Sequence, residues 1–99
     1  MYKRVSPGII RLWVVYQENG VNQEGLTDIK IEIKYANGTS IVSETSMAES
    51  PAGFYLYDWN TDGVGLDQLI LVYYKKGMET LDIEEIIVDI LEDQDATAM

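Results

Sequence analysis

The most regular alternation of apolar and charged residues lies between positions 28 and 35. Its apolar members are Ile29, Ile31, Ile33 and Tyr35. A period of two residues is typical of a β-strand with one buried and one solvated face. Asn37 and Gly38 follow, a pair that favours the positive φ angles of a type I′ hairpin turn. The segment 39–45 is therefore predicted to return as an antiparallel strand.

Three further segments are dense in β-branched and aromatic residues, and polar or glycine-rich stretches separate them. The predicted strands are 9–16, 54–59 and 69–74, and the intervening loops and turns are 17–25, 47–53, 60–67 and 75–78. Short strands joined at such intervals by turns are typical of sandwiches. The sequence therefore predicts an all-β, antiparallel β-sandwich of the immunoglobulin-like or transthyretin-like kind.

The segment after residue 82 fits two structures. Its apolar residues have helical spacing: Ile83, Ile86, Ile87, Ile90 and Leu91. Asp82 and Glu85 resemble a capping box, which favours a helix, but the density of Ile and Val suits a strand. We expect a strand that ends at about Asp82, a sandwich domain over residues 1–82, and an acidic segment over 83–99 that contacts a neighbour. A short amphipathic helix is the preferred structure for this segment, and an extra strand is the alternative.

The chain is strongly acidic. Its 99 residues contain seven Lys and Arg against seventeen Asp and Glu, for a formal net charge of −10. Such a surface repels nucleic-acid phosphates and anionic lipid headgroups. We therefore expect no nucleic-acid partner and no membrane partner, and no apolar run is long enough to span a bilayer.

The residues that most enzymes depend on are missing. The sequence contains no Cys and no His, which excludes Cys–His and Ser–His–Asp nucleophiles and zinc sites built on those ligands. It also lacks a P-loop and a dinucleotide-binding glycine fingerprint. A paired-carboxylate hydrolase needs a deep cleft, for which a chain of this length has little material. We therefore expect no enzymatic activity and no cofactor, except for calcium at one candidate loop.

That exception is the loop after residue 57. Oxygen-bearing side chains alternate there around Gly63: Asp58, Asn60, Asp62 and Asp67. This spacing matches the opening of a calcium-binding loop. However, Leu69 occupies the position of the usual bidentate Glu. Asp, Asn and Gly also serve turn geometry, which is the preferred interpretation.

The predicted strand 54–59 is apolar on both faces. Tyr55, Tyr57 and Trp59 share one face, which either fills the core or stacks on sugar rings. Phe54 and Leu56 lie on the other face, and an exposed apolar face is typical of a protein–protein interface. The residues predicted to make interface contacts are Trp13, Phe54, Leu56, Ile86, Ile87 and Ile90.

One long segment resembles a known group of proteins. In order, it contains Gly25-Leu26-Thr27-Asp28-Ile29, Asn37-Gly38, Met47-Ala48-Glu49 and Gly53-Phe54-Tyr55-Leu56-Tyr57-Asp58-Trp59. This succession resembles the small immunoglobulin-like or transthyretin-like modules of tailed-phage structural proteins. The resemblance implies a scaffold or attachment role in the virion, contacts with other virion proteins and with copies of itself, and no catalytic residues.

The sequence indicates two alternative functions. The first is a non-enzymatic structural or adaptor protein of a phage-like virion (capsid, neck or tail attachment, or fibre anchoring), which acts by assembling with other proteins. The alternative is a module that binds carbohydrate or another small ligand, with calcium assistance, through Tyr55, Tyr57, Trp59 and the loop from Asp58 to Asp67.

Overall fold

The structure is a computed structural model, and it describes residues 2–89. Within that range the chain is all-β and has no helix. The strands are β1 (Lys3–Val5), β2 (Ile9–Val15), β3 (Gln17–Glu18), β4 (Val21–Asn22), β5 (Ile29–Tyr35), β6 (Ser40–Ser46), β7 (Ala48–Ser50), β8 (Phe54–Asn60), β9 (Leu69–Lys76) and β10 (Glu79–Val88). The predicted strands at 9–16, 28–35, 39–45, 54–59 and 69–74 are all confirmed.

These strands form three sheets. The large sheet has the order β1-β10-β9-β5-β6, the small sheet has the order β2-β8-β7, and β3 and β4 form a separate hairpin. Every pairing is antiparallel except that of β1, which runs parallel to β10. The prediction that all strands are antiparallel is therefore wrong for β1. The sequence patterns do not predict a strand over residues 3–5.

A single hydrophobic core joins the two larger sheets. The large sheet contributes Ile29, Ile31 and Ile33 from β5, Ile70, Val72 and Tyr74 from β9, and Ile86 and Val88 from β10; the small sheet contributes Leu12, Tyr55 and Trp59. Alternate residues of each strand point inward, as the period of two requires. Burying an aliphatic or aromatic side chain of this size stabilises the fold by about 1.5–3 kcal/mol.

The hairpin between β5 and β6 has a different turn from the one predicted. Only Gly38 of the Asn37-Gly38 pair has a positive φ, of 96°, and its N–H donates to the carbonyl of Tyr35 over 2.9 Å. This is a turn closed by a left-handed glycine, so the predicted type I′ turn is wrong. Positive φ at both central residues occurs instead at Asn19 (54°) and Gly20 (77°), between β3 and β4, in a segment predicted to be a loop.

The segment 83–88 is a strand. It belongs to β10, which pairs antiparallel with β9 and, over Ile86–Val88, parallel with β1. The preferred prediction of a helix is therefore wrong over these residues. They are strand, as in the alternative, but they continue the strand that begins at Glu79 and do not form an extra one. β10 also runs across the predicted boundary after residue 82, so the sheet continues to Val88. The remainder of the acidic segment, from Ile90 onward, lies outside the described residues.

The chain passes from the large sheet to the small one at Met47. This residue alone separates β6 from β7, and its N–H donates to the carbonyl of Ile29 over 2.9 Å. The buried Met47 side chain belongs to the common core. Continuous chain therefore joins the two sheets beside β6 and β7. On the opposite side the sheets end at β1 and β2, and β1 covers β10 only over Ile86–Val88.

Candidate functional site

The small sheet has an apolar surface on the side away from the core. It is formed by Trp13 and Val15 of β2 and by Phe54 and Leu56 of β8, and we call it the outer apolar face. Trp13 lies opposite Leu56, and Val15 lies opposite Phe54. Trp13 is 56% exposed and Phe54 is 37% exposed, although both are large apolar side chains. The outer apolar face thus brings together three of the six predicted interface residues.

The two aromatic rings of this face contact each other. Trp13 and Phe54 lie diagonally across the two strands, with ring centroids 5.7 Å apart and planes inclined by 29°. Such a stacked pair is stabilising beyond its buried area, by about 0.5–1.5 kcal/mol. The pair forms a partly exposed aromatic surface, and aromatic anchors of this kind dominate the binding energy of many protein interfaces.

A charged pair borders the outer apolar face. The guanidinium of Arg11 donates to both carboxylate oxygens of Asp58, over 2.8 Å from Nε and 3.2 Å from Nη2. The hydrogen bond from Arg11 lowers the pKa of the Asp58 carboxyl below its ordinary value. An apolar centre with a polar border is the common anatomy of an interface.

The three aromatics proposed for ligand stacking lie on the core side of β8. Tyr55 is completely buried and Trp59 is 3% exposed, while Tyr57 is half-buried and packs against the core. The Tyr55 hydroxyl donates to the carbonyl of Gln23 and accepts from the N–H of Leu26. Because buried rings cannot stack on a sugar, the alternative role of this row is wrong for Tyr55 and Trp59.

Two of the four candidate calcium ligands accept hydrogen bonds through their side-chain oxygens. Asp58 pairs with Arg11, and Oδ1 of Asn60 accepts from the N–H of Asp62 over 3.0 Å, as in an Asx turn. Asp67 has a positive φ of 61°, and its N–H donates to the carbonyl of Val88. No group of three or more Asp, Glu, His or Cys side chains suited to a metal occurs among residues 2–89.

The outer apolar face does not include the three remaining residues predicted to make interface contacts. Ile86 is completely buried in the core, so its assignment to an interface is wrong. Ile87 lies on the outer side of the large sheet, opposite Leu69 of β9 and beside Arg4 of β1, and is half-buried. Ile90 lies outside the described residues. The strand period of β10 explains this result, because neighbouring residues point to opposite faces.

The outer side of the large sheet is charged and internally paired around Lys75. Lys75 of β9 donates to Glu32 of β5 over 2.9 Å and to Glu44 of β6 over 3.2 Å. Lys30 and Lys34 also lie within ion-pair distance of these carboxylates. The hydrogen bond from Lys75 lowers the pKa of Glu32. This charged part of the outer side, on β5, β6 and the end of β9, contrasts with the outer apolar face of the small sheet. The outer side is more apolar where β10 lies beside β9.

A cleft of about 1090 Å³ lies on the open side of the molecule, between β2 and β10. Leu12 and Trp13 line one wall, and Tyr74 and Glu84 line the other. The hydroxyl of Tyr74 donates to Glu84 over 2.7 Å, and Lys3 pairs with the same carboxylate over 2.8 Å. Two causes raise the pKa of Tyr74: its burial, which is the larger, and its hydrogen bond to Glu84.

The sequence alone did not predict the contacts of the outer apolar face that depend on pairing between distant strands. The Trp13–Phe54 stack and the Arg11–Asp58 pair both require the register of β2 against β8, which joins residues more than forty positions apart. The alternation of Arg11, Trp13 and Val15 along one strand was the available signal for a shared face.

No protein-family model, no curated protein and no solved structure is significantly similar to the chain. Residues 2–89 contain no helix long and apolar enough to cross a membrane.

Proposed function

We propose that this chain is a non-enzymatic structural or adaptor module of a phage-like virion, and that it assembles with copies of itself and with other virion proteins through the outer apolar face. The observation that carries the proposal is the exposed Trp13–Phe54 stack beside Leu56. A solvated sheet face normally carries polar residues, as the outer side of the large sheet does around Lys75. An exposed cluster of large apolar residues marks an interaction surface.

In the same proposal, the two larger sheets form a β-sandwich of the immunoglobulin-like or transthyretin-like kind. Support comes from the single core to which both sheets contribute and from the crossing of the chain between sheets at Met47. A sandwich offers its outer faces and its strand edges for contacts, because its inner faces are used in the core. The outer apolar face is such a surface.

The virion setting rests on the resemblance of residues 25–59 to modules of tailed-phage structural proteins. The direct test is mass spectrometry of particles that are purified on a density gradient from the culture that encodes the chain. We expect peptides of this chain to enrich with the particles. Their absence from intact particles would overturn the virion role and leave the assembly surface to be tested separately.

Assembly through the outer apolar face is tested by sedimentation velocity over a range of protein concentrations. We expect reversible self-association of the unmodified chain and its loss in Leu56→Glu, because the charge would be desolvated at the centre of the contact. Ile83→Glu is the matched control, since Ile83 is 48% exposed on a different sheet. A chain that stays monomeric throughout, or equal effects of the two changes, would contradict self-assembly through this face.

A further inference from the structure

The free edge of β2 is the least protected sheet edge within residues 2–89. β2 has seven residues and pairs with β8 without a register shift. The other outer strands carry features that discourage further pairing: β1 and β7 have three residues each, and β6 has register shifts against β5. A long, regular edge with unpaired backbone groups is a template for another strand.

The register of β2 shows which of its backbone groups are free. The N–H of Thr61 donates to the carbonyl of Gly8 over 2.8 Å, which continues the ladder from the pair Ile9 and Asn60. Bonded residues alternate along an antiparallel ladder. Even-numbered residues of β2 therefore bond to β8, and the N–H and C=O groups that point to the free edge are those of Ile9, Arg11, Trp13 and Val15.

The space beside this edge is the cleft between β2 and β10. Its volume, about 1090 Å³, is at the upper end of ordinary binding pockets. β1 covers β10 only over Ile86–Val88, so the first half of β10 is open to the cleft. This half of β10 has a bulge at Leu81, which makes it a poorer template for pairing than β2.

The large-sheet wall of the cleft is acidic. Asp82, Glu84 and Glu85 line it, in a chain whose net charge is −10. The basic residues of the cleft are Lys3, which pairs with Glu84, and Arg11, which pairs with Asp58 of β8 outside the cleft. Three carboxylates line the cleft against two basic groups. The potential at this wall therefore favours a cationic group.

We propose that an extended segment of a partner protein, with Lys or Arg at alternate positions, adds to β2 as a fourth strand of the small sheet. Alternate side chains of a strand point to opposite faces. One set would lie toward Asp82 and Glu84, where positive charge is favoured, and the other set would lie beside Trp13 and extend the outer apolar face. Main-chain bonds supply affinity in such complexes, and the alternate side chains supply specificity.

A second copy of β2 fits this edge less well than a basic segment. Two copies that met at this edge would each bring a net charge of −10 and an acidic cleft wall, and these repel each other. The side chains of Ile10, Leu12 and Val14 in the copy would stay in its own core, so the copy would offer no cationic group to the cleft wall. The inference rests on the proposed assembly role and names the chemistry of the partner.

The test uses a synthetic peptide in which Lys and Val alternate over the length of β2, with a Glu–Val peptide as the control. The readout is amide hydrogen exchange of the full chain, measured by NMR. We expect the Lys–Val peptide to slow exchange at Ile9, Arg11, Trp13 and Val15, and to leave the even-numbered amides unchanged because β8 already protects them. The Glu–Val peptide is expected to have no effect.

A pair of variants at Arg11 separates backbone pairing from side-chain attraction. Arg11→Pro removes one edge N–H without breaking a bond to β8, and Arg11→Ala removes only the side chain. We expect the proline variant to bind the Lys–Val peptide about tenfold more weakly than the alanine variant. Equal affinities would overturn strand addition, and if the proline variant fails to fold, the exchange pattern of the unmodified chain decides the matter.

Other outcomes are equally decisive. Binding of the peptide without protection of the odd-numbered amides would mean simple charge attraction and would overturn the proposal. Odd-numbered amides that are protected in the free chain, in proportion to its concentration, would mean that a second copy occupies the edge. Leu56→Glu should keep the exchange pattern while it loses self-association, so failure of the edge site and failure of the outer apolar face are distinguishable.

Discussion

The hydroxyl of Tyr55 connects the core of the small sheet to the loop between β4 and β5. It donates to the carbonyl of Gln23 over 2.8 Å and accepts from the N–H of Leu26 over 3.1 Å. Tyr55→Phe would leave both backbone groups without their partner in a partly buried position. We expect the free energy of unfolding, measured with urea, to fall by about 1–3 kcal/mol.

Tyr57→Phe is the control for this change, because Tyr57 lies on the same face of the same strand and is half-buried. Its loss of stability should be clearly smaller. Equal losses would mean that the two hydroxyls contribute alike and that the loop does not depend on Tyr55.

The pair of Arg11 and Asp58 makes a small contribution to stability that depends on pH. The hydrogen bond from Arg11 lowers the pKa of Asp58 in the folded chain. A carboxyl of this kind stabilises the fold above its unfolded pKa, and the contribution is lost as the pH falls through the folded pKa. We expect Arg11→Ala to raise the pKa of Asp58 toward its ordinary value, as followed by NMR titration of the side-chain carboxyl carbon.

Both groups of this pair are exposed, so the pair contributes little to stability. Its main effect is to hold the Arg11 and Asp58 side chains in place at the border of the outer apolar face. An unchanged Asp58 titration in Arg11→Ala would show that the two side chains do not stay together in solution.

At the scale of elements, the sequence of β10 fits both the helical period and the strand period of two, and the two differ in where they place Ile86 and Ile87. In a helix, Ile86 and Ile87 would share the apolar face, whereas in a strand they point to opposite sides. Ile86 is completely buried, and Ile87 is half-buried on the outer side of the large sheet. We expect Ile86→Ala to lower the free energy of unfolding by about 2–5 kcal/mol, and Ile87→Ala to lower it much less.

Chemical denaturation of the two variants provides the measurement. Similar losses at both positions would contradict the strand register of β10, because only a helical arrangement would bury the two side chains to a similar extent.

The strands could be predicted where one period was unambiguous. β5 alternates Ile with charged residues and β9 is almost continuously apolar, so both patterns exclude an amphipathic helix. The sequence of β10 satisfies two periods at once, and the choice depends on β9, which lies inside the sheet and needs a neighbour on each side. β1 is three residues long and has no pattern of its own, so only its pairing with β10 defines it.

The turns show a similar limit. Asn37 and Gly38 have the composition of a two-residue hairpin loop, but β5 ends at Tyr35 and the register with β6 leaves Ala36 in the loop as well. Loop length is fixed by strand pairing, and loop length then selects the turn type. The outer apolar face was predictable in part, because the period of two places Phe54 and Leu56 on the face of β8 away from Tyr55, Tyr57 and Trp59.

At the scale of the whole molecule, net charge and the outer apolar face oppose each other. A net charge of −10 on each copy causes two copies to repel each other. The range of this repulsion shrinks with salt, because the screening length falls from about 30 Å at 0.01 M to about 3 Å at 1 M ionic strength. Contact between apolar faces is not weakened by screening. The balance between the two therefore depends on salt.

We expect self-association to strengthen as sodium chloride is raised at constant protein concentration, measured by sedimentation velocity. Leu56→Glu should stay monomeric at every salt concentration, because screening cannot restore an apolar contact that holds a carboxylate at its centre. Binding of the Lys–Val peptide to the β2 edge should weaken over the same range, since its cationic side chains lose their attraction to Asp82 and Glu84. Dissociation of the unmodified chain by salt would mean that ion pairs hold the copies together, and the contact would then have to lie away from Trp13 and Phe54.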